Sequence, residues 1–155
     1  MSADPAVRHA SPDDPQEVAR LFYDFQKEFS EPTPEVPVLI ERYKELLRSG
    51  EMMVLLVGHG PAGFAQLRFR PSIYTGALDA YLEELYVVPA MRGRGLGRVL
   101  LEAAMEEARG RGATHMDLGT SEEDVRARAL YESAGFTNRE GKLDGPLMFY
   151  YERDL

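Results

Sequence analysis

Three glycines are interleaved with three arginines and one leucine over residues 92–98, in the stretch RGRGLGR that precedes an apolar-striped helix pattern. A helix N-terminus presents unpaired backbone N–H groups and the positive end of the helix dipole. Glycines there let an anion approach the backbone without hindrance from a Cβ, and the planar guanidinium of arginine can bond two phosphate oxygens. The stretch therefore indicates a site for a phosphate or pyrophosphate group at the start of this helix.

The same stretch has other interpretations. A tight turn flanked by solvated arginines would use these residues too, although so many arginines in a chain of net charge -8 favour the anion site. A Walker A loop requires Gly-Lys-Ser/Thr after its second glycine, which the stretch lacks. A dinucleotide-binding fold remains an alternative, because Asp117 lies where a ribose-binding acid is expected, but Arg98 occupies the place of the third glycine.

Several other kinds of catalytic site are excluded or disfavoured. The chain has no cysteine, which rules out disulfides, thiolate metal sites and a cysteine nucleophile. His9, His59 and His115 are scattered and have no companion ligands at metal-binding spacing, so the sequence predicts no metal site. A G-x-S-x-G motif of a serine hydrolase is also missing.

Hydrophobic periodicity and turn residues predict the elements that would position the glycine loop. We predict a strand over 5–10, helices over 11–29 and 38–50, a hairpin over 51–70, a strand over 80–88, a helix from 96, a strand over 114–120, a helix over 122–135 and a final strand pair over 136–155. This mixed order predicts an α/β fold (mixed α+β) with a mixed sheet and helices on both faces. A length of 155 residues fits one domain, residues 1–155.

Charge and hydropathy limit the classes of partner that the protein is expected to bind. The net charge of -8 argues against a general nucleic-acid or anionic-membrane surface. The apolar run over 52–57 is far too short to span a membrane, and the first residues lack the apolar stretch of a signal peptide. We therefore expect no nucleic-acid partner, no membrane association and a cytoplasmic location.

Two segments of the chain resemble the GNAT superfamily of acetyl-CoA-dependent N-acetyltransferases. The segment VVPAMRGRGLG (87–97) is similar to its Arg/Gln-x-x-Gly-x-Gly/Ala signature, which Arg92, Gly95 and Gly97 meet. The segment DVRARALYESAGF (124–136) resembles a second family segment, and the strand and helix between the two fit as well. The positions matched in this second segment are Ala127, Leu130, Tyr131, Gly135 and Phe136.

The resemblance implies a fold and a place for the coenzyme. It implies a mixed, mostly antiparallel sheet of about six to seven strands, flanked by about four helices and splayed between the fourth and fifth strands. The pantetheine arm would lie in that gap, and the pyrophosphate on the loop amides. The coenzyme-binding residues would be Leu85, Tyr86, Val87, Val88, Arg92, Gly93, Arg94, Gly95, Leu96, Gly97 and Arg98. Leu82, Leu85 and Val87 break strict alternation, as a β-bulge would allow.

The resemblance also implies the chemistry: transfer of the acetyl group of acetyl-CoA, as cosubstrate and without a metal, to a primary amine of a small molecule or peptide. Tyr131 would donate to the coenzyme sulfur, and a backbone N–H near Val87 would polarise the carbonyl. Glu84 matches a frequent acidic residue of the family and would be the base, directly or through a water. Because adjacent strand residues point to opposite faces, only one of Glu83 and Glu84 is expected to face the cleft. Without a cysteine, direct transfer in a ternary complex is the natural mechanism.

Some alternatives stay open. Tyr131 could simply pack against the sheet, and both carboxylates could be exposed charges. Asp124 stands where many relatives have Asn, and an ionised Asp cannot donate a hydrogen bond. A non-catalytic acetyl-CoA-binding sensor is the second class of function, although the presence of both Glu84 and Tyr131 favours an enzyme. The acidic loops favour a cationic acceptor, and the resemblance allows a homodimer through PLMFYYERDL (146–155).

Overall fold

The computed structural model describes residues 6–155, so the first residue of the strand predicted over 5–10 lies outside the described part of the chain. Strands and helices follow one another in an order close to the predicted one. They are β1 (Val7–His9), α1 (Gln16–Glu28), α2 (Val36–Ser49), β2 (Met52–Val57), β3 (Gly63–Pro71), β4 (Leu78–Val87), a 3-10 turn (Pro89–Met91), α3 (Leu96–Gly110), β5 (Ala113–Leu118) and α4 (Val125–Ser133).

The strands form one mixed sheet in the order β1-β2-β3-β4-β5. The first three pairings are antiparallel, and only β4 and β5 run parallel, because the connection between them passes through α3. The predicted fold class, a mixed and mostly antiparallel sheet with four α-helices, is confirmed. The strand count is lower than expected, since the described residues form five strands rather than six or seven.

Helices cover both faces of this sheet. On one face, α1 and α2 bury Val18 and Leu39 in a cluster that includes Phe64 of β3. On the other face, α3 buries Leu100, whose side chain lies beside the backbone of Gly63. A Cβ at Gly63 would lie 2.5 Å from the Tyr86 carbonyl oxygen, so only glycine fits where β3 passes β4 here. The apolar stripes of the helices and the two-sided burial of β2 and β3 therefore account for the layers.

Strand β4 changes its pairing near its middle. Its parallel pairing with β5 ends at Leu82, opposite Leu118, whereas β4 itself continues to Val87 along β3. At the same point Gln66 of β3 is opposite Glu84, while the next β3 residue is opposite Leu82, so Glu83 is an extra residue. The predicted bulge and the predicted separation of the fourth and fifth strands are thus both present, and they coincide.

The final strand pair expected over 136–155 does not form a ladder. Arg139 and Leu147 make an isolated antiparallel bridge, flanked by hydrogen bonds from Glu140 N to Pro146 O and from Met148 N to Asn138 O. Pro146 has no N–H to donate, and a turn around Gly145 brings the chain so close that a Cβ there would collide with the Glu140 carbonyl. Local turn chemistry therefore limits the pairing to one bridge.

Contacts divide the chain into two compact units, residues 1–118 and 119–155. The first unit contains the sheet with α1, α2 and α3, and the second contains α4 and the segment that follows it. The single domain over 1–155 stays a prediction. Within the described residues, no helix is long and apolar enough to cross a membrane.

Candidate active site

The glycine loop ends at the N-terminus of α3, as the sequence predicts. Gly93 and Gly95 have φ angles of 77° and 78°, in the left-handed region that favours glycine, and Gly95 caps the helix. A Cβ built at either position would meet open space, so the surface above the backbone is accessible. The first N–H groups of α3 have no acceptor within the helix, because they begin it. These amides and the helix dipole can accept an anion such as a pyrophosphate.

The three arginines of the loop differ in their surroundings. The Arg92 guanidinium donates from Nη2 to both carboxylate oxygens of Glu28, at 2.8 Å each, and from Nε to the Val87 carbonyl at 2.9 Å. It also lies 5.6 Å from the centre of the Tyr86 ring, whose hydroxyl donates to Glu28 at 2.9 Å. Arg92 therefore joins the loop to the end of α1, while Arg94 is exposed at the loop surface.

Backbone groups at the end of β4 point in alternating directions. Val88 donates its N–H to Ala62 O, and Tyr86 lies opposite Phe64 in the same antiparallel pairing. Because hydrogen-bonded and non-bonded pairs alternate in antiparallel strands, the N–H groups of Leu85 and Val87 point away from β3. That is the side from which β5 has separated. Of the four predicted contacts on β4, Leu85 and Val87 thus offer backbone groups to the gap.

The bulge alters the positions of the two adjacent carboxylates. Strict alternation would place Glu83 and Glu84 on opposite faces, but both lie on the face covered by α2. Glu83 Oε1 accepts a hydrogen bond of 2.7 Å from Gln66 Nε2, and its Oε2 lies 3.0 Å from Arg68 Nε. Glu84 is opposite Gln66, and the charges of both carboxylates act on Tyr43 of α2. The two residues therefore do not alternate, because the extra residue interrupts the pattern. That one of them faces the coenzyme cleft stays a prediction.

Glu84 has an altered proton affinity. Burial, together with the nearby negative charge of Glu83, raises the pKa of Glu84 from 4.5 to about 7. A carboxylate with such a pKa can accept a proton near neutral pH and release it again. The structure thus supplies a candidate base where β4 leaves β5.

Two residues of this site were not singled out in the sequence. Tyr43 and Gln66 are 4% and 3% exposed, and the Tyr43 hydroxyl donates to Gln66 Oε1 at 2.5 Å. The available signal for Gln66 was a single amide side chain within the apolar run GFAQLRF of β3.

Tyr131 belongs to the second unit, where it lies on α4. Its ring packs edge-on against Phe136 with 6.1 Å between centroids, and its carbonyl accepts from the Phe136 N–H at 3.0 Å. Asp124 is the N-cap of α4, since its Oδ1 accepts from the Ala127 N–H at 3.1 Å. An acceptor is what a helix N-cap requires, so the Asp that replaces the usual Asn has a structural role of its own.

Metal-ligating side chains do not cluster in the described part of the chain. Among residues 6–155, no group of three or more His, Asp or Glu side chains is arranged to hold a metal ion. His9 instead lies 3.2 Å from Glu107 of α3, at the far edge of the sheet. The candidate site therefore consists of a glycine loop, an open strand edge and a carboxylate pair.

Comparison with known proteins agrees with this architecture. The model of the acetyltransferase (GNAT) family matches residues 17–136. A crystal structure of a protein from Arthrobacter sp. FB24, described as a candidate acetyltransferase, superposes with a TM-score of 0.91. That protein is 40% identical, and the match covers 100% of this chain and 99% of the other.

Two curated relatives extend the comparison. A mycothiol acetyltransferase of Beutenbergia cavernae is 44% identical over 69 residues, which is 43% of this chain and only 23% of that protein. An aminoglycoside N(6')-acetyltransferase type 1 of Stenotrophomonas maltophilia is 28% identical over 146 residues, covering 90% of this chain and 91% of the relative.

Proposed function

The chain belongs to the acetyltransferase (GNAT) family, and from that premise we propose that it transfers the acetyl group of acetyl-CoA directly to a primary amine. The observation that carries this proposal is Glu84. Its carboxyl group, with a pKa raised to about 7, lies where β4 separates from β5, beside backbone N–H groups that face the gap. An amine nucleophile must lose a proton in this reaction, and a base with a pKa near neutrality suits that step.

The loop at the start of α3 fits the coenzyme. The left-handed glycines leave open space above the amides of residues 93–97, which would hold the pyrophosphate, with Arg94 adding positive charge. Arg98 belongs to the same proposed set, and Arg92 would contribute its backbone, because its guanidinium is bonded to Glu28. Leu85 and Val87 would hold the pantetheine arm through their backbone groups. No metal is part of this proposal.

Each proton has an assigned acceptor or donor in the proposed reaction. Acetyl-CoA supplies the acetyl group as an activated thioester. Glu84 takes the proton of the amine, directly or through a water, as the new C–N bond forms. The Val87 N–H donates to the carbonyl oxygen as negative charge develops there. The Tyr131 phenol gives its proton to the thiolate released when the C–S bond breaks, so that the products are an amide and free CoA.

The role of Tyr131 can be tested separately. We expect Tyr131→Phe to lower kcat by about 100-fold, a typical contribution of a general acid, while the affinity for acetyl-CoA changes little. Stopped-flow turnover and calorimetry on the same preparation measure the two quantities. An equal loss of turnover and affinity would contradict the acid role and indicate a packing role.

A small cationic amine is the proposed acceptor class. The net charge of -8 favours a positively charged substrate, and an aminoglycoside acetyltransferase is among the relatives. Polyamines, amino-acid derivatives and peptide N-termini carry the same chemistry. The panel of acceptors should therefore start with polycationic amines and include a peptide.

Acetyl-CoA binding followed by thiol release is the deciding experiment. We expect calorimetry to show acetyl-CoA binding and a thiol reagent to report CoA release with at least one amine class. Glu84→Gln serves as the control, since it should retain binding and lose most of the turnover. Binding without release from any amine would indicate a coenzyme sensor, and a lack of binding would overturn the proposed site.

Self-association and location are further parts of the proposal. The segment Leu147–Tyr151 exposes five consecutive apolar side chains, between 44% and 87% accessible, which suits an interface between two copies. Light scattering of the native chain and of Phe149→Ser would test this, with a dimer expected only for the native chain. We also propose a cytoplasmic location.

A further inference from the structure

We propose that Tyr43 and Gln66 are positioning residues that hold Glu83 as a fixed anion and thereby assign the proton-accepting role to its neighbour Glu84. This inference rests on the proposed function, in which a carboxylate at this point of β4 takes a proton from the amine. The family resemblance favours Glu84 by its position but gives no physical reason for the choice between the two carboxylates. The hydrogen bonds on the α2 face of the sheet supply that reason.

A chain of two hydrogen bonds connects α2 with β4 through β3. The Tyr43 hydroxyl donates to Gln66 Oε1 at 2.5 Å, and Gln66 Nε2 donates to Glu83 Oε1 at 2.7 Å. Tyr43 and Gln66 are almost completely buried, so water does not compete for these groups. Gln66 is therefore held on both sides.

Tyr43 fixes the direction of the two hydrogen bonds that connect it through Gln66 to Glu83. Burial and the charges of Glu84 and Glu83 raise the pKa of Tyr43 well above its usual value, so the phenol keeps its proton and donates it. Gln66 must then present its oxygen to Tyr43 and its NH2 to Glu83. The reverse amide orientation would place the Gln66 oxygen against a carboxylate oxygen, and two acceptors repel.

Both oxygens of Glu83 consequently face positive or donating groups. Oε1 accepts from Gln66, and Oε2 lies 3.0 Å from Nε of the Arg68 guanidinium. A proton on either oxygen would break one of these interactions. Glu83 is thus held as the ionised member of the pair.

Glu84 has different surroundings. Among the described residues, its proton affinity responds to burial and to the charge of Glu83, with no hydrogen bond or cation that favours its ionised form. The titratable groups that face it are Glu83 on its own strand and Tyr43 on α2, while Arg68 of β3 faces Glu83. On α1, Asp24 and Glu28 act on Tyr86, two residues further along β4. Two adjacent carboxylates with opposite surroundings take opposite roles, one as a charge and one as a proton acceptor.

The variant Gln66→Met removes the donor to Glu83 while preserving side-chain length. The proton can then be held by either carboxylate, so we expect the acidic limb of the kcat profile to move to higher pH by roughly half a unit to one unit. At pH 7 this shift corresponds to a loss of about two- to fivefold in kcat, because the fully ionised pair, in which Glu83 supports the basicity of Glu84, is a smaller fraction of the protein. The KM for acetyl-CoA should stay within about twofold of the native value, since the coenzyme loop is untouched.

Carbon-13 NMR of the glutamate carboxyl carbons gives a readout that does not need activity. Spectra of Glu83→Gln and Glu84→Gln assign the two signals. In the native chain we expect the Glu84 carbon to shift around pH 7 while the Glu83 carbon stays constant there, and in Gln66→Met we expect both carbons to shift together. Tyr43→Phe should produce the same change to a smaller extent, and it replaces Gln66→Met in this test if that variant does not fold. Tyr23→Phe, which removes a hydroxyl from α1, is the matched control and should change neither signal.

Each outcome has a distinct meaning. A native Glu83 carbon that shifts near pH 7 in place of Glu84, or a Gln66→Met spectrum identical to the native one, would overturn the inference. If the carbons behave as expected but no amine is acetylated, the proposed function fails and the assignment of the two carboxylates stands. If amines are acetylated and the two carbons always shift together, the assignment fails and the proposed function stands.

Discussion

At the scale of the residue, Glu84 combines burial with a charged neighbour. Burial makes the larger contribution and the Glu83 anion the smaller one to a pKa that rises from 4.5 to about 7. A protonated amine would then meet a group that can take its proton at physiological pH. Two measurable consequences follow from the same shift, one for the rate and one for the stability.

The rate consequence concerns Glu84→Gln. We expect kcat to fall by about 100-fold or more, within the range for loss of a general base, and the acidic limb near pH 7 to disappear. The native rate should rise with pH through about 7, because the active form of Glu84 is the ionised one. Steady-state kinetics between pH 5 and pH 9 measures this, with the exposed Glu102→Gln as the control. An acidic limb that survives in Glu84→Gln would assign it to another group.

The free energy of unfolding depends on pH in the opposite direction from the rate: it falls as the rate rises. The folded state holds the Glu84 proton more tightly than the unfolded chain does, so this group stabilises the fold below about pH 4.5 and loses that effect as pH rises through about 7. We expect a decrease in the free energy of unfolding of roughly 2 kcal/mol over that interval, after allowance for the partial exposure of the group. Urea titrations at several pH values would show the decrease in the native chain and a flatter curve in Glu84→Gln. Equal slopes in the two proteins would contradict the shift.

At the scale of the element, Arg92 connects a helix, a strand end and a loop. Its guanidinium bonds the Glu28 carboxylate at the end of α1 and the Val87 carbonyl at the end of β4. The Tyr86 hydroxyl donates to the same carboxylate. The loop is therefore attached at its first residue, and the glycines and Arg94 beyond it face outward.

Arg92→Gln and Arg94→Gln should separate stability from coenzyme affinity. We expect Arg92→Gln to lower the free energy of unfolding by about 1 kcal/mol or more, because a partly buried ion pair and a hydrogen bond to the Val87 carbonyl are lost. Arg94→Gln should leave the melting temperature unchanged and weaken acetyl-CoA binding about tenfold, the effect of one lost charge-assisted contact. Thermal unfolding and calorimetry on both variants measure the contrast. Equal affinity losses in the two variants would place both guanidinium groups on the coenzyme.

The elements themselves were largely predictable because their signals are local. Gly50 with its φ of 76° ends α2, Pro89 follows the end of β4, and the glycine loop precedes α3 as expected. The carboxylate network was not predictable, because Tyr43, Gln66 and Glu83 are far apart in sequence and meet only when the register of β3 and β4 is set. The final strand pair was predicted from the same local pattern, but the turn chemistry around Gly145 and Pro146 limits it to one bridge.

At the scale of the whole molecule, the net charge of -8 should govern encounter with a cationic acceptor. Raising the ionic strength from about 0.01 M to about 0.15 M shortens the screening length from about 30 Å to about 8 Å. We expect the KM for a polycationic amine to rise several-fold over this range while kcat stays constant. For a monoamine with no other charged group, assayed in parallel, the KM should change much less. Equal changes of KM for both amines would indicate that the overall charge has no part in recognition.

The extra residue Glu83 also determines which face of the sheet the even-numbered side chains of β4 occupy after it. Before it, the even-numbered Ala80 and Leu82 are buried outside the cluster of α1 and α2, whereas after it the even-numbered Tyr86 belongs to that cluster. Removing Glu83 would therefore restore strict alternation and leave Glu84, Leu85 and Tyr86 opposite their present β3 partners, with Tyr86 still in the cluster of α1 and α2. A deletion of Glu83 should thus preserve both helical layers and remove only one carboxylate, whereas a deletion elsewhere in β4 would move the side chains beyond it to the opposite face.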